Sequence, residues 1–139
     1  MPLSDELRAQ REHIVRVHME AENTHDYSTA IGTFRHPRYE LIATGQVHDG
    51  REAVERYFAD SRRAFPDQRN ELIALHHADD GVFSEFWLLG THQGELMGIA
   101  PTGKTFRCRM VAFFVFEGAE LVCERVYFDS ATILRQVTG

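Results

Sequence analysis

Cysteine is scarce: the 139 residues hold only Cys108 and Cys123, too few and too far apart for a zinc site built on thiolates, and best read as buried thiols. Positive charge is also in the minority. Fifteen Lys and Arg face 21 Asp and Glu, a net charge of −6, with the two signs interleaved rather than blocked, which argues against nucleic acid or an anionic membrane as partner. No apolar run is long enough to cross a bilayer, and the start, Met1-Pro2-Leu3-Ser4-Asp5-Glu6, lacks a basic region followed by an apolar stretch. Repeats, linkers and low-complexity segments are missing too. These absences leave a single cytoplasmic domain, residues 1–139, acting on a neutral or hydrophobic small molecule.

What is present divides into helices first and strands afterwards. Ser4 with Asp5 and Glu6 is a helix start, and Leu7, Ile14, Val17 and Ala21 follow at helical spacing. That helix ends near Asn23-Thr24-His25-Asp26, and a shorter one around residues 27–34 is stopped by His36-Pro37. Residues 39–43 read as a strand and Asp49-Gly50 as a turn. Ala53, Val54, Tyr57, Phe58, Ala64 and Phe65 line one face of the next helix, which Pro66 prevents from continuing. The segments 69–78, 82–92, 104–117 and 120–129 are rich in β-branched and aromatic residues and separated by turn residues. This order predicts an α+β domain with helices packed on a curved, mainly antiparallel sheet.

The last hairpin predicts a register. Gly118-Ala119 suits a two-residue turn with glycine first, and pairing Glu117 with Glu120 sets Cys108 opposite Asp129, Met110 opposite Tyr127, Ala112 opposite Arg125 and Phe114 opposite Cys123. Those residues then share one face that is apolar except for Arg125 and Asp129. Asp129 is either a strand-end carboxylate facing water or a proton-transfer group, because apolar surroundings disfavour its charged form and raise its pKa toward neutrality. Arg125, about 13 Å away along one strand at 3.3 Å per residue, is too far to be its ion partner. The opposite face carries Val111, Phe113, Val122, Val126 and Phe128 with Arg107, Arg109, Glu120 and Glu124, which suits a subunit interface.

Residues 98–105, Gly-Ile-Ala-Pro-Thr-Gly-Lys-Thr, satisfy the phosphate-loop pattern, but a strand-like stretch follows where a phosphate loop needs a helix, so a strand-connecting turn is expected. No H-E-x-x-H occurs, and neither His76-His77 nor His13 with His18 places two histidines at i, i+4, so no metal is expected. His18 reads as a polar residue at the edge of the first helix. His92, leaving the strand that carries Trp87, is a candidate oxyanion donor or a loop histidine bonded to backbone. Cys108 has no motif placing a base beside it and reads as packing.

Taken together, His25-Asp26-Tyr27, Ala64-Phe65-Pro66-Asp67, Gly90-Thr91-His92-Gln93-Gly94, Pro101-Thr102-Gly103-Lys104 and Tyr127-Phe128-Asp129 with Leu134-Arg135-Gln136 resemble the SnoaL-like polyketide cyclase family, from about residue 10 onward. The resemblance implies the nuclear-transport-factor-2-like cone, a homodimer, and a cofactor-independent intramolecular aldol ring closure with an aspartate on the last long strand as general acid/base. Asp129 matches that aspartate, and His92 is implied to lie near the pocket. Phe113-Phe114-Val115-Phe116-Glu117-Gly118 departs from the commoner family pattern, which has a basic residue before the turn. The expected site is therefore Asp129 and His92 for catalysis, with Tyr127, Trp87, Arg125, Met110, Cys108 and Phe114 for substrate. Dehydration or epoxide opening by the same carboxylate, and non-catalytic binding of a lipophilic metabolite by a dimeric module, are the alternatives.

Overall fold

The computed structural model describes residues 3–139. Helix α1 (Asp5–Asn23) starts where Ser4 Oγ accepts from the Leu7 amide at 3.1 Å, satisfying one of the free N–H groups of the first turn. The chain continues through α2 (Tyr27–Gly32), β1 (Arg38–Leu41), β2 (Gln46–Asp49), α3 (Arg51–Ala64), β3 (Arg69–Ala78), β4 (Gly81–Thr91), β5 (Thr105–Glu117), β6 (Glu120–Tyr127) and α4 (Ser130–Thr138). The helices-then-meander order stands. Strand β2 and helix α4 were not anticipated; β2 has only four residues, with Val47 half exposed, and gives no alternating pattern to read.

The six strands form one sheet in the order β2-β1-β6-β5-β4-β3, antiparallel throughout except for the parallel β1–β6 pair. The concave side holds the core, with Val54 and Phe58 of α3 and Val15 of α1 fully buried against Phe114, Ala112 and Val82 of the sheet. Fully burying an aliphatic or aromatic side chain of this size contributes roughly 1.5–3 kcal/mol, so this helix-on-sheet layer is the main source of stability. The stripe expected on α1 is rotated: its buried residues are Arg11, Val15, His18, Met19 and Ala21. Two of those five are polar, so counting apolar spacing alone could not find the face. Arg11 binds the two hairpin turns together through Gly118 O at 2.8 Å and Asp79 O at 3.0 Å.

The turn at Gly118 (φ 58°) forms as expected, with Glu117 paired to Glu120 and Phe116 to Leu121. The next pair, however, is Val115 with Cys123. Val122 is therefore the extra residue of a β-bulge, and from Cys123 onward the register slips by one. Because side chains alternate with period two, one inserted residue transfers every later side chain to the other face. Glu124 and Val126 consequently enter the concave side with Phe114 and Ala112, whereas Arg125 and Tyr127 point away from it. The expected pairs Cys108–Asp129, Met110–Tyr127, Ala112–Arg125 and Phe114–Cys123 do not form.

Residues 98–104 form a loop that leads straight into β5, with Gly103 at φ 72°. No helix starts at Lys104-Thr105, as the rejection of a phosphate loop required. Among the described residues no helix is long and apolar enough to cross a membrane.

Candidate active site

Between the helices and the concave sheet lies a cavity of about 530 Å³, walled by Met19, Leu41, Phe86, Leu88, Met110, Phe114, Val126 and Phe128, and closed at one end by Ile133 and Leu134 of α4. A mostly apolar cavity with a few convergent polar groups is the usual form of a small-molecule site. Its polar lining includes Glu22 from α1, His48 from β2, Tyr57, Asp60 and Arg62 from α3, and Glu124 from β6.

Glu124 is 4% exposed and His18 is fully buried. The His18 ring is oriented from behind: Nδ1 lies 3.2 Å from Ala30 O and 2.8 Å from Thr33 Oγ1. Thr33 Oγ1 donates to the Ala30 carbonyl at 2.6 Å, so it is an acceptor toward the imidazole and Nδ1 carries a proton. On the other side Nε2 lies 2.9 Å from Tyr39 Oη, 2.8 Å from Glu124 Oε1 and 3.5 Å from Glu22 Oε1. The Tyr39 hydroxyl in turn donates to Glu22 at 3.3 Å. The ring N–H is in line with Tyr39 rather than with Glu124, so the short contact to Glu124 is ionic and its Oε1 has no aligned hydrogen-bond partner.

Electrostatics divide the two carboxylates. Burial lowers the His18 pKa, but the Glu22 and Glu124 carboxylates outweigh it and bring the imidazolium from 6.5 to about 10. For Glu22, burial pushes the carboxyl up, yet His18, with help from Arg62 and Tyr39, holds it below its ordinary value. For Glu124, burial and then the neighbouring Glu22 carboxylate push the carboxyl up, and His18 only partly offsets them. The pKa values of the two carboxyl groups are thus pushed apart, Glu22 down and Glu124 up. The Tyr57 phenol, raised by burial and the nearby carboxylates, remains an O–H donor. The ligating atoms of His18, Glu22 and Glu124 lie within 4.8 Å of one another, and His18 itself supplies their positive charge.

The expected site residues are dispersed. Met110 and Phe114 line the cavity. Asp129 does not: its side chain is 64% exposed and caps α4, accepting from the Ala131 amide at 3.1 Å and from Thr132 Oγ1 at 3.0 Å. The apolar surroundings expected for it are absent, because the bulge in β6 turns it away from the cavity between Phe128 and Ser130, which both line it. Asp129 thus positions α4 and, through α4, the cavity's end wall. Replacement by Ala should lower unfolding stability by about 1 kcal/mol, the usual value of an N-cap, as measured by urea denaturation.

Tyr127 is 42% exposed on the convex face, and Arg125 is bound there to Glu40 at 3.0 Å. Trp87 also lies on that face, beneath the Arg107 guanidinium at 3.7 Å. Cys108 is buried beside the cavity without lining it, as packing requires. His92 is fully buried but outside the cavity lining. The Thr102 amide donates to its Nδ1 at 3.3 Å, and its backbone holds Gly103 N and Lys104 O at 2.9 Å each, so it pins the loop before β5. Of the residues that do converge, His18 was read as a helix-edge residue, Tyr57 as part of the apolar face of the third helix and Glu124 as part of the outer sheet face, while Glu22, Tyr39, His48 and Arg62 were not singled out. Two signals were present: His18 and Glu22 stand at i, i+4 on α1, and Glu124 interrupts the apolar run Leu121-Val122-Cys123.

A curved sheet closed by helices around an apolar cavity, with a buried acid/base cluster in its wall, defines a domain of the nuclear-transport-factor-2 and ketosteroid-isomerase-like type. The sequence matches the SnoaL-like polyketide cyclase family over residues 12–137, and the chain belongs to that family. No curated protein sequence matches it. Among solved structures it is similar to IdmH from Streptomyces antibioticus, a candidate polyketide cyclase, with 24% identity and TM-score 0.80 over 94% of this chain and 99% of that one. A candidate SnoaL-like polyketide cyclase from Jannaschia sp. CCS1 superposes with TM-score 0.87 at 16% identity, over 100% of this chain and 98% of that one. A protein with a ketosteroid isomerase-like fold from Catenulispora acidiphila DSM 44928 gives TM-score 0.77 at 19% identity over 89% and 91%. At these identities the structures establish the fold, while family membership supports an enzyme of cyclase or isomerase type.

Proposed function

We propose that this protein is a cofactor-independent cyclase or isomerase of hydrophobic, polyketide-like carbonyl compounds, with Glu124 in the acid/base role that the sequence suggested for Asp129. The observation that carries this reading is Glu124 itself: a buried carboxyl in the cavity wall, raised in pKa by burial and Glu22, with Oε1 free of any aligned donor. Its carboxylate takes a proton from a C–H beside a carbonyl. The C–H electron pair passes into the enolate, the enolate carbon forms a C–C bond to a second carbonyl of the same molecule, and the new alkoxide recovers the proton from the Glu124 carboxylic acid. Atoms balance without any co-reactant, so the product is an isomer of the substrate. His18 and Glu22 hold the position and charge of the acid/base group, and the apolar walls keep water from the enolate.

The first step can be tested without the natural substrate. Incubation with 2-tetralone in deuterium oxide should give protein-dependent deuterium exchange beside the carbonyl, read by proton NMR and lost in Glu124→Gln. A protein that binds the ketone but does not accelerate exchange would be a binding module.

A homodimer through the convex face belongs to the same reading. Phe83 stacks on Phe113 there at 4.2 Å, beside Val111 and the exposed Tyr127, and a second copy covering this patch would remove it from water. Light scattering at micromolar concentration should give twice the chain mass, and Tyr127→Glu should shift it toward the monomer.

A further inference from the structure

Five buried side-chain polar atoms among the described residues have no hydrogen-bond partner, and three of them belong to cavity-lining residues: Glu124 Oε1, His48 Nε2 and Arg62 Nε. Leaving such a group unpaired costs about 1–3 kcal/mol; Glu124 Oε1 has its ionic contact to His18 at 2.8 Å, so it is His48 Nε2 and Arg62 Nε, on one cavity, that call for a shared explanation. We infer that Arg62 and His48 form an anion-binding subsite that holds the oxygen of an enolate or similarly acidic carbonyl compound, while Glu124 faces its reacting carbon. The inference rests on the acid/base reading only for the position of that carbon.

Both groups are held rigidly. The Arg62 guanidinium lies 5.5 Å from the Tyr27 ring centroid and 5.4 Å from that of Phe58, with Nη1 bonded to Ser61 Oγ at 2.8 Å. Among the described residues no carboxylate lies within ion-pair distance of it, although all 15 ion pairs there join an Arg or a His to an Asp or a Glu. A guanidinium stacked on aromatics, which feels Glu22 only through space and has no carboxylate in direct contact, is a ready partner for a planar oxyanion.

His48 stacks on Tyr57 with centroids 4.6 Å apart. Burial lowers its pKa, against a weaker opposing effect of Asp60, so the ring is neutral and presents a hydrogen bond rather than a second full charge. The sheet fixes its distance from the base. His48 pairs with Tyr39, and Tyr39 with Glu124, so the three stand in one row across β2, β1 and β6 and face the same side. Two strand spacings separate His48 from Glu124, about 10 Å between Cα atoms at 4.8 Å per step. Tyr39 fills the floor of that span without lining the cavity, and above it side chains reaching in from both ends would bracket a unit the size of a carbonyl and its neighbouring carbon. A donor at the His48 end favours negative charge on oxygen, and the carboxylate at the other end accepts the proton that creates it.

The probe for this subsite is 2-acetyl-1,3-indandione, a hydrophobic tricarbonyl acid that is an enolate at neutral pH, compared with neutral 1-indanone. Calorimetry on the wild-type protein should show the enolate bound at least tenfold more tightly. Arg62→Met, which keeps an unbranched stem against Tyr27 and Phe58, should remove most of that preference while changing 1-indanone binding less than about twofold. His48→Phe, which keeps the stack on Tyr57, should weaken the enolate about fivefold. If Arg62→Met does not fold, as judged by circular dichroism, His48→Phe with the same pair of ligands decides the question. An unchanged enolate-to-ketone ratio in the folded variants, or equal binding of both probes by the wild type, would overturn the inference. Deuterium exchange into 2-tetralone separates it from the acid/base reading: Glu124→Gln that still exchanges removes that reading but leaves the subsite standing if Arg62→Met loses the preference.

Discussion

Glu124→Gln is expected to lower turnover of the natural substrate by roughly 10²–10⁴, the usual contribution of a positioned general acid/base, while ligand affinity changes little and the fold is kept. The amide is nearly isosteric with the carboxyl and fills the same place beside Phe114 and Val126, but it cannot take up a proton. It also removes one of the two carboxylates around His18, so stability should not fall as it would on losing the cation. The pH profile carries a second test. The base must be ionised to act, so kcat/KM should rise with pH along a limb centred above the ordinary glutamate value of 4.5, because burial and Glu22 disfavour the Glu124 anion. Asp129→Asn provides the contrast: a loss of activity as large as that of Glu124→Gln, with helix α4 intact, would return the acid/base role to Asp129.

The difference between those two carboxylates shows how far the sequence could be read. Helix α3, the four long strands and the turn at Gly118 follow from periodicity and glycine placement, and the family resemblance pointed to the right cone. The site did not follow, because a single inserted residue decided it. Nothing in Leu121-Val122-Cys123-Glu124 requires a bulge at Val122; the bulge arises because Leu121, fully buried beside Phe34, and Val126 must both reach the core from a strand whose alternation would otherwise expose one of them. An unbulged hairpin puts Asp129, Tyr127 and Arg125 inside, and the bulged one puts Glu124 inside. Long-range geometry also hid His18. Its acceptors Ala30 and Thr33 come from α2 and its C-cap, and its carboxylate Glu124 from far along the chain, so helical spacing could point only to Glu22 at i, i+4 and not to the other partners of the buried ring.

The largest stability change is expected at His18. His18→Leu should cost roughly 3–5 kcal/mol near pH 6, because removing the cation strands Glu22 and Glu124 in the core without compensation. The sign of the pH dependence follows from the pKa shift. His18 is raised from 6.5 to about 10 in the folded protein, so its stabilisation is fully present below pH 6.5 and is lost as the pH rises through about 10. Glu22, held below its usual value, contributes stability above pH 4.5 that is lost as the pH falls through its folded value, whereas the raised Glu124 has the opposite sign and costs stability once it ionises. The gap between wild type and His18→Leu, measured by urea unfolding at pH 6 and again near pH 10, should therefore shrink as the wild type loses its own imidazolium. A gap that stays constant over that range would show that His18 is not the cation of the cluster. Replacing all three groups at once, His18→Leu with Glu22→Met and Glu124→Leu, should recover much of the loss, since an apolar core of similar volume often equals or exceeds a buried ion cluster in stability. That recovered protein should fold well and exchange no deuterium into 2-tetralone, because none of the three replacement side chains can take up a proton.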